Sequence, residues 1–144
     1  MSLGALFDGT RHGVFHVVDG DVEVEALAHQ AGWHVVTLDT GAVVDKPGFM
    51  DLAAEVFDLP EWFGRNWDAL DECLRALDLD DPDGLLVLWD GWAQFAESDP
   101  DAFETAVGVF QDACVAWADD EVGGAVLLRG TGPETDLSTV GPSD

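Results

Sequence analysis

Carboxylates are the side chains of this sequence whose number and spacing could do chemistry. Between positions 58 and 83, nine acidic residues accompany two basic ones, Arg65 and Arg75. Three of the acids, Asp68, Asp71 and Glu72, fall within five consecutive positions. Carboxylates so close together can act as acid–base catalysts, hold a cation or bind a basic surface. The elements that position them decide which of these chemistries applies.

A short amphipathic helix is predicted to carry these three carboxylates. Asn66 is a suitable N-cap, because its side-chain oxygen can accept a hydrogen bond from a free N–H of the first turn. Asp68 then lies in that first turn, where the helix dipole favours an anion. The carboxylates and Arg75 point away from the core. The apolar side chains spaced i, i+3, i+4 and i+7 form the buried face: Leu70, Cys73, Leu74 and Leu77.

The residues before this helix are predicted to form a turn that exposes an aromatic ring. Pro60 ends the preceding segment, and Gly64 permits a sharp change of direction. Trp62 and Phe63 are adjacent, and neighbours in a helical or extended segment cannot both face one core. We therefore expect one of the two rings beside the acidic helix. An aromatic anchor next to charge is typical of binding hot spots.

Catalytic and metal-binding patterns are weak in the rest of the chain. Calcium sites usually come from loops with a defined ligand order, whereas the acidic run at 78–84 contains a proline and ends without a glutamate. A glycosidase-like pair of carboxylates needs a cleft between them, and the histidines and serines have neither metal-ligand nor triad spacing. The sequence predicts no enzymatic activity, no metal and no cofactor. A carboxylate enzyme is the competing hypothesis, and Asp68→Asn would then abolish turnover.

Composition favours a basic protein partner. The net charge is −25 in 144 residues, and proteins that bind nucleic acid directly carry the opposite charge; solubility alone is the other explanation. The apolar share of 47% predicts one domain with a core. Cys73 and Cys114 fall on apolar helix faces, which indicates buried reduced thiols. No membrane span or secretory signal is evident, so we expect a cytoplasmic protein, monomeric when free.

Alternating strands and helices predict an α/β fold with a parallel sheet and right-handed crossovers. Asp99, directly before Pro100, is predicted to cap a helix, and Asp45 or Lys46 is predicted to cap another that has Pro47 near its first position. A further strand and a short helix are predicted before position 32. The predicted central strands are 33–38, 85–89 and 125–128. The predicted divisions are an N-terminal extension at 1–32, a main domain at 33–130 and a flexible tail at 131–144.

The stretch LPEWFGRNWDAL at 59–70, followed by Cys73 and Leu74, resembles the signature of the barstar family. Barstars are small intracellular inhibitors of secreted microbial ribonucleases. In element order the resemblance runs from Trp33 to Arg129, and it implies a small three-stranded parallel sheet packed with helices. It also implies the function: the acidic helix and its preceding loop plug the cationic active site of a guanyl-specific ribonuclease. The alternative is an acidic adaptor that binds another basic protein without inhibiting it.

The resemblance implies specific partner-binding residues. Trp62 takes the place of an aromatic contact, and Asn66 keeps the identity found in the family. Asp68 matches the first acidic contact. Glu72 stands where the family commonly has an aspartate that imitates an RNA phosphate. Asp112, on the exposed side of the last helix, matches an outlying acidic contact.

Three further positions in and directly after this helix depart from the type member of the family. Asp71 replaces a tryptophan, and Ala76 together with Leu77 replaces a glycine–tryptophan pair. Glu72 is also one methylene longer than the usual aspartate. The partner implied is a basic microbial ribonuclease, and these departures leave open whether it is the one bound by the type member or another.

Overall fold

A parallel sheet carries helices on both faces in the computed structural model of this protein. The structure describes residues 13–17, 24–60, 63–76, 84–119, 123–129 and 139–140. The elements in chain order are β1 (Gly13–Val17), α1 (Val24–Gln30), β2 (Trp33–Asp39), α2 (Lys46–Val56), α3 (Trp67–Arg75), β3 (Gly84–Asp90), α4 (Trp92–Ser98), α5 (Pro100–Asp119), β4 (Gly123–Arg129) and β5 (Thr139–Val140).

The sheet confirms the predicted α/β class and the three predicted central strands. Its strand order is β2-β3-β4-β1-β5, and every neighbouring pair is parallel. The side chains of β3 from Leu85 to Trp89 are fully buried, as expected for a strand covered on both faces. The sheet is larger than the three strands that the resemblance implies, because β1 of the extension joins β4. Thr139 and Val140, within the stretch predicted as a tail, pair with β1.

The larger core lies between one face of the sheet and helices α2 to α5. Phe49 of α2 stacks on Phe95 with ring centroids 5.2 Å apart and meets Trp89 of β3 at 5.8 Å. Trp89 in turn meets Phe110 of α5 at 5.5 Å. Aromatic side chains bury large apolar areas in defined geometries. This cluster therefore sets the positions of the helices over the sheet.

The N-terminal extension supplies one strand of the sheet and a helix, α1, that covers the opposite face. Its strand and helix confirm the predicted elements, and Phe15, Val24 and Ala28 are buried there. Successive side chains of a strand point to opposite faces, so β3 and β4 supply residues to both cores. Those that contact the extension are Leu86, Leu88, Ala125 and Leu127.

An ion-pair cluster at the carboxyl ends of β3 and β4 joins the main domain to the extension. Arg129 donates from Nε and Nη2 to the two carboxylate oxygens of Asp90, at 2.7 and 2.6 Å. The hydrogen bond to Asp90 raises the pKa of the Arg129 guanidinium. Glu25 of α1 lies 3.8 Å from Nη1 of the same arginine. Charge as well as apolar contact therefore connects α1 to the sheet.

Both predicted aspartate caps are present, and one helix escaped prediction. Asp45 and Asp99 each accept a hydrogen bond from the backbone N–H three residues on, at 3.0 and 3.2 Å. Helix α4, which was not predicted from the sequence, begins directly after β3. Gly91 has φ +65°, and a Cβ there would lie 2.4 Å from the backbone nitrogen of Gly41. Glycine therefore lets the chain pass from strand to helix without a loop.

Trp33 packs its indole ring directly against the backbone of the neighbouring strands. A Cβ on Gly123 would lie 2.4 Å from Cζ2 of this buried ring. We expect Gly123→Ala to lower the free energy of unfolding by roughly 1–3 kcal/mol, measured as a lower midpoint in chemical denaturation. Gly108→Ala is the control, since a Cβ there meets nothing within 4 Å, and the gain in helix propensity should be about 0.5–1 kcal/mol. A Gly123→Ala protein as stable as the wild type would contradict this packing.

Candidate functional site

Helix α3 begins at the cap that the sequence predicts. Oδ1 of Asn66 accepts a hydrogen bond from the backbone N–H of Ala69 at 2.8 Å, and Nδ2 donates to the backbone oxygen of Gly64 at 3.3 Å. The Asn66 backbone is extended, as is usual at this position. One side chain therefore connects the first turn of α3 to the turn before it.

The buried face of α3 anchors the helix to α5. Leu70, Cys73 and Leu74 are buried as predicted, and Leu77 lies outside the described residues. Nε1 of Trp117 donates to the backbone oxygen of Leu74 at 2.8 Å. This bond gives a donor to a carbonyl of the last turn, where the regular donors four residues on are no longer part of the helix. The acidic helix is therefore held at its end as well as at its start.

Helix α2 contacts the loop before α3 and the first residue of α3. The sequence pattern did not reveal these contacts. Nε of Arg65 donates to Oδ1 of Asp51 at 2.8 Å. Arg65 has φ +51°, a conformation uncommon for residues other than glycine. The ring of Trp67 lies 5.7 Å from that of Phe49, and Nζ of Lys46 lies 5.7 Å from the Trp67 ring centroid. No local pattern signals these contacts, because each joins separate elements.

The outer side of α3 holds carboxylates in two different states. Asp71 is half-buried and accepts two hydrogen bonds from Nε of Arg75, both at 3.0 Å. The two residues are spaced four apart on the helix, and the hydrogen bond raises the pKa of Arg75. Asp68 and Glu72 are exposed. Among the described residues, neither has an ion-pair partner. These two carboxylates remain available to cations from another molecule.

Asp112 of α5 belongs to the same region of the surface. It is exposed, and its charge is one of the influences that raise the pKa of Arg75. Because α5 packs against α3, two helices supply carboxylates around one arginine. We call this surface the acidic face; it comprises Asp68, Asp71, Glu72, Arg75 and Asp112.

The other predicted contact residues lie at the two ends of α3. Ala76 is exposed and follows the last helical residue. Trp62 lies outside the described residues, whereas its neighbour Phe63 is buried. If one of the two rings is exposed, it is therefore Trp62, which stays a prediction. The structure brings Asn66, Ala76 and the carboxylates onto one helix and its neighbour, and their contact with a partner is likewise a prediction.

The part of the chain that the structure describes contains neither a cluster of metal ligands nor a cysteine with a lowered pKa. There, no three His, Cys, Asp or Glu side chains are grouped so that they could hold a metal ion. Cys73 and Cys114 are buried and free, as predicted. Burial raises the pKa of Cys114 to about 12 and, together with the charge of Glu72, raises that of Cys73. Thiols with raised pKa values are poor nucleophiles at neutral pH.

The described helices also include none with the length and apolarity needed to cross a membrane.

Comparison with known proteins agrees with this arrangement. A family model described as Barstar (barnase inhibitor) matches residues 33–129, which are 97 of the 144 residues. The match runs from the first residue of β2 to the last residue of β4 and includes the whole acidic face. A search of curated proteins found no match. The family consists of inhibitors of barnase-type ribonucleases. The chain belongs to the barstar family.

Proposed function

We propose that this chain inhibits a secreted guanyl-specific microbial ribonuclease by inserting α3 and the loop before it into the cationic active site. The family match supports the class of activity, inhibition of a barnase-type ribonuclease. One observation carries the finer proposal. Asp68 and Glu72 stand exposed, without a cationic partner among the described residues, on a helix fixed at its cap and at its last turn.

The chemistry of the target explains why exposed carboxylates would inhibit it. A ribonuclease binds RNA phosphates with Arg, Lys and His side chains, and carboxylates form charge-assisted hydrogen bonds with the same groups. The carboxylates offer no bond that the enzyme can cleave. Because α3 is already ordered, little conformational entropy is lost when it binds. Asp68 and Glu72 would therefore compete with the substrate for its own binding groups.

The net charge of −25 should also accelerate the encounter with a basic enzyme. Surface charges are screened over roughly 8–10 Å at physiological ionic strength, so the association rate should fall steeply as salt is added. Barnase and barstar are themselves the reference pair for electrostatically steered association. We expect the same salt dependence for this member of the barstar family.

Titration against barnase tests the proposal. RNA cleavage should fall linearly with added protein and stop at one equivalent. The control is the Asp68→Asn/Glu72→Gln double variant, which keeps side-chain size and should leave cleavage intact. Full cleavage in the presence of excess wild-type protein, with barnase and with a second guanyl-specific ribonuclease, would contradict inhibition.

Co-purification with a ribosomal or DNA-binding protein instead of a ribonuclease would favour the adaptor hypothesis. The proposal includes a cytoplasmic location and a monomeric free state, the latter measurable by light scattering.

A further inference from the structure

Arg75 places a positive charge within the acidic face. Its Nε bonds to both oxygens of Asp71 at 3.0 Å, yet 46% of the arginine side chain stays exposed. Asp112 contributes a further negative charge from α5. An arginine keeps its charge across the pH range in which proteins are folded. A partner that contacts the acidic face therefore meets one fixed cation among the carboxylates.

This cation acts against a basic partner in two ways. A guanidinium next to the cations of a ribonuclease cleft is a like-charge contact, which weakens association. In addition, Arg75 occupies both oxygens of Asp71, so that this carboxylate is less available than Asp68 or Glu72. The side chain of Asp71 is 32% exposed and lies one turn before Arg75. Both effects reduce the negative charge that the acidic face offers at the last turn of α3.

We propose that Arg75 is a selectivity residue, which weakens the binding of any ribonuclease that meets the last turn of α3 with cations alone. The inference rests on the proposed function and narrows the class of partner. A guanidinium has five N–H donors, and the pair with Asp71 uses only the one on Nε. The donors on Nη1 and Nη2 can therefore bind an acceptor oxygen of a partner without disrupting the pair. A fitting ribonuclease presents such an oxygen opposite Arg75.

Barnase, with its RNA-binding cleft, serves as the cationic probe. We expect Arg75→Gln to lower the inhibition constant by about three- to tenfold, mainly through faster association at low salt. Gln94→Glu is the matched control, because it makes the same change of one unit in net charge at an exposed position of α4, outside the acidic face, and should change the constant by less than about twofold. Circular dichroism and denaturation midpoints check that the variants are folded.

A double-mutant cycle tests whether the ion pair with Arg75 makes the Asp71 carboxylate less available to the ribonuclease. Asp71→Asn should weaken inhibition more in the Arg75→Gln background than in the wild type, because only there is the carboxylate free to bind barnase. Equal or weaker inhibition by Arg75→Gln, while the wild type inhibits, would overturn the inference and leave the proposed function intact. If the Arg75→Gln variant inhibits barnase and the wild type does not, the inference is supported most strongly. If neither protein inhibits barnase, the inference is overturned, and if the wild type also fails to inhibit a second guanyl-specific ribonuclease, the proposed function is overturned with it.

Discussion

Glu72→Ala will raise the dissociation constant for barnase by at least about 30-fold. Glu72 is exposed on α3 and has no ion-pair partner among the described residues, so in the proposed complex its carboxylate pairs with cations of the cleft. Truncating one member of a buried, hydrogen-bonded charge pair leaves the other uncompensated, which costs roughly 2–5 kcal/mol. Most of the change should appear as faster dissociation. Inhibition kinetics and surface plasmon resonance measure it.

Loss of folding would not explain such a result. Asp68 and Glu72 are like charges four residues apart, a pairing that costs a helix roughly 0.2–0.5 kcal/mol, so Glu72→Ala should leave the free energy of unfolding unchanged or slightly higher. Glu97→Ala makes the same chemical change at an exposed position of α4, outside the acidic face, and should inhibit like the wild type. Equal inhibition by the two variants would contradict α3 as the inserted element. A complex with Asp68 and Glu72 in open solvent would do the same.

Ala28→Asp will lower the free energy of unfolding by roughly 3–5 kcal/mol, the usual cost of an uncompensated buried charge. Ala28 has no exposed surface and lies where α1 contacts the sheet. A carboxylate there would lose its hydration among apolar side chains without gaining a partner. Domains are stable by only about 5–15 kcal/mol, so the variant should be close to unfolding at room temperature. Urea denaturation followed by tryptophan fluorescence measures the change.

Ala26→Asp supplies the matched control for this prediction, because it makes the same chemical change two positions away. Ala26 lies on the exposed side of the same helix, where a carboxylate stays hydrated and a substitution usually changes stability by less than about 0.5 kcal/mol. A protein that begins at Trp33 extends the test, because it should bind a hydrophobic dye through the sheet face that α1 covers. Equal stability of the two aspartate variants, or a well-folded protein without residues 1–32, would show that the extension is dispensable.

This prediction concerns residues that lie before the family match at 33–129. Phe15, Val24 and Ala28 complete a core with strand residues from inside the match. We therefore expect the extension to be required for stability. We expect the exposed surface of the extension to take no part in inhibition. Exposed substitutions such as Ala26→Asp should therefore leave ribonuclease inhibition unchanged.

Local patterns predicted α3 in detail because the forces that shape a helix act over a few residues. The Asn66 cap and the apolar stripe of Leu70, Cys73 and Leu74 depend on spacings of three or four positions, which can be read in a single sequence. The long resemblance at 59–70 then identified the family, and the match confirmed it. Helix α4 was missed for the converse reason. Its start depends on Gly91 packing against the backbone of Gly41, far away in the chain.

The sequence by itself determined the α/β class, the central strands, the capped acidic helix and the family. Only the tertiary structure decided that β1 lies between β4 and β5, that Asp51 holds Arg65, and that Asp112 joins the carboxylates around Arg75. The physical reason is the range of the interactions. Caps and amphipathic stripes arise from neighbours along the chain. The acidic face arises where α3 and α5 pack together, through contacts such as that between Trp117 and Leu74, 43 positions apart.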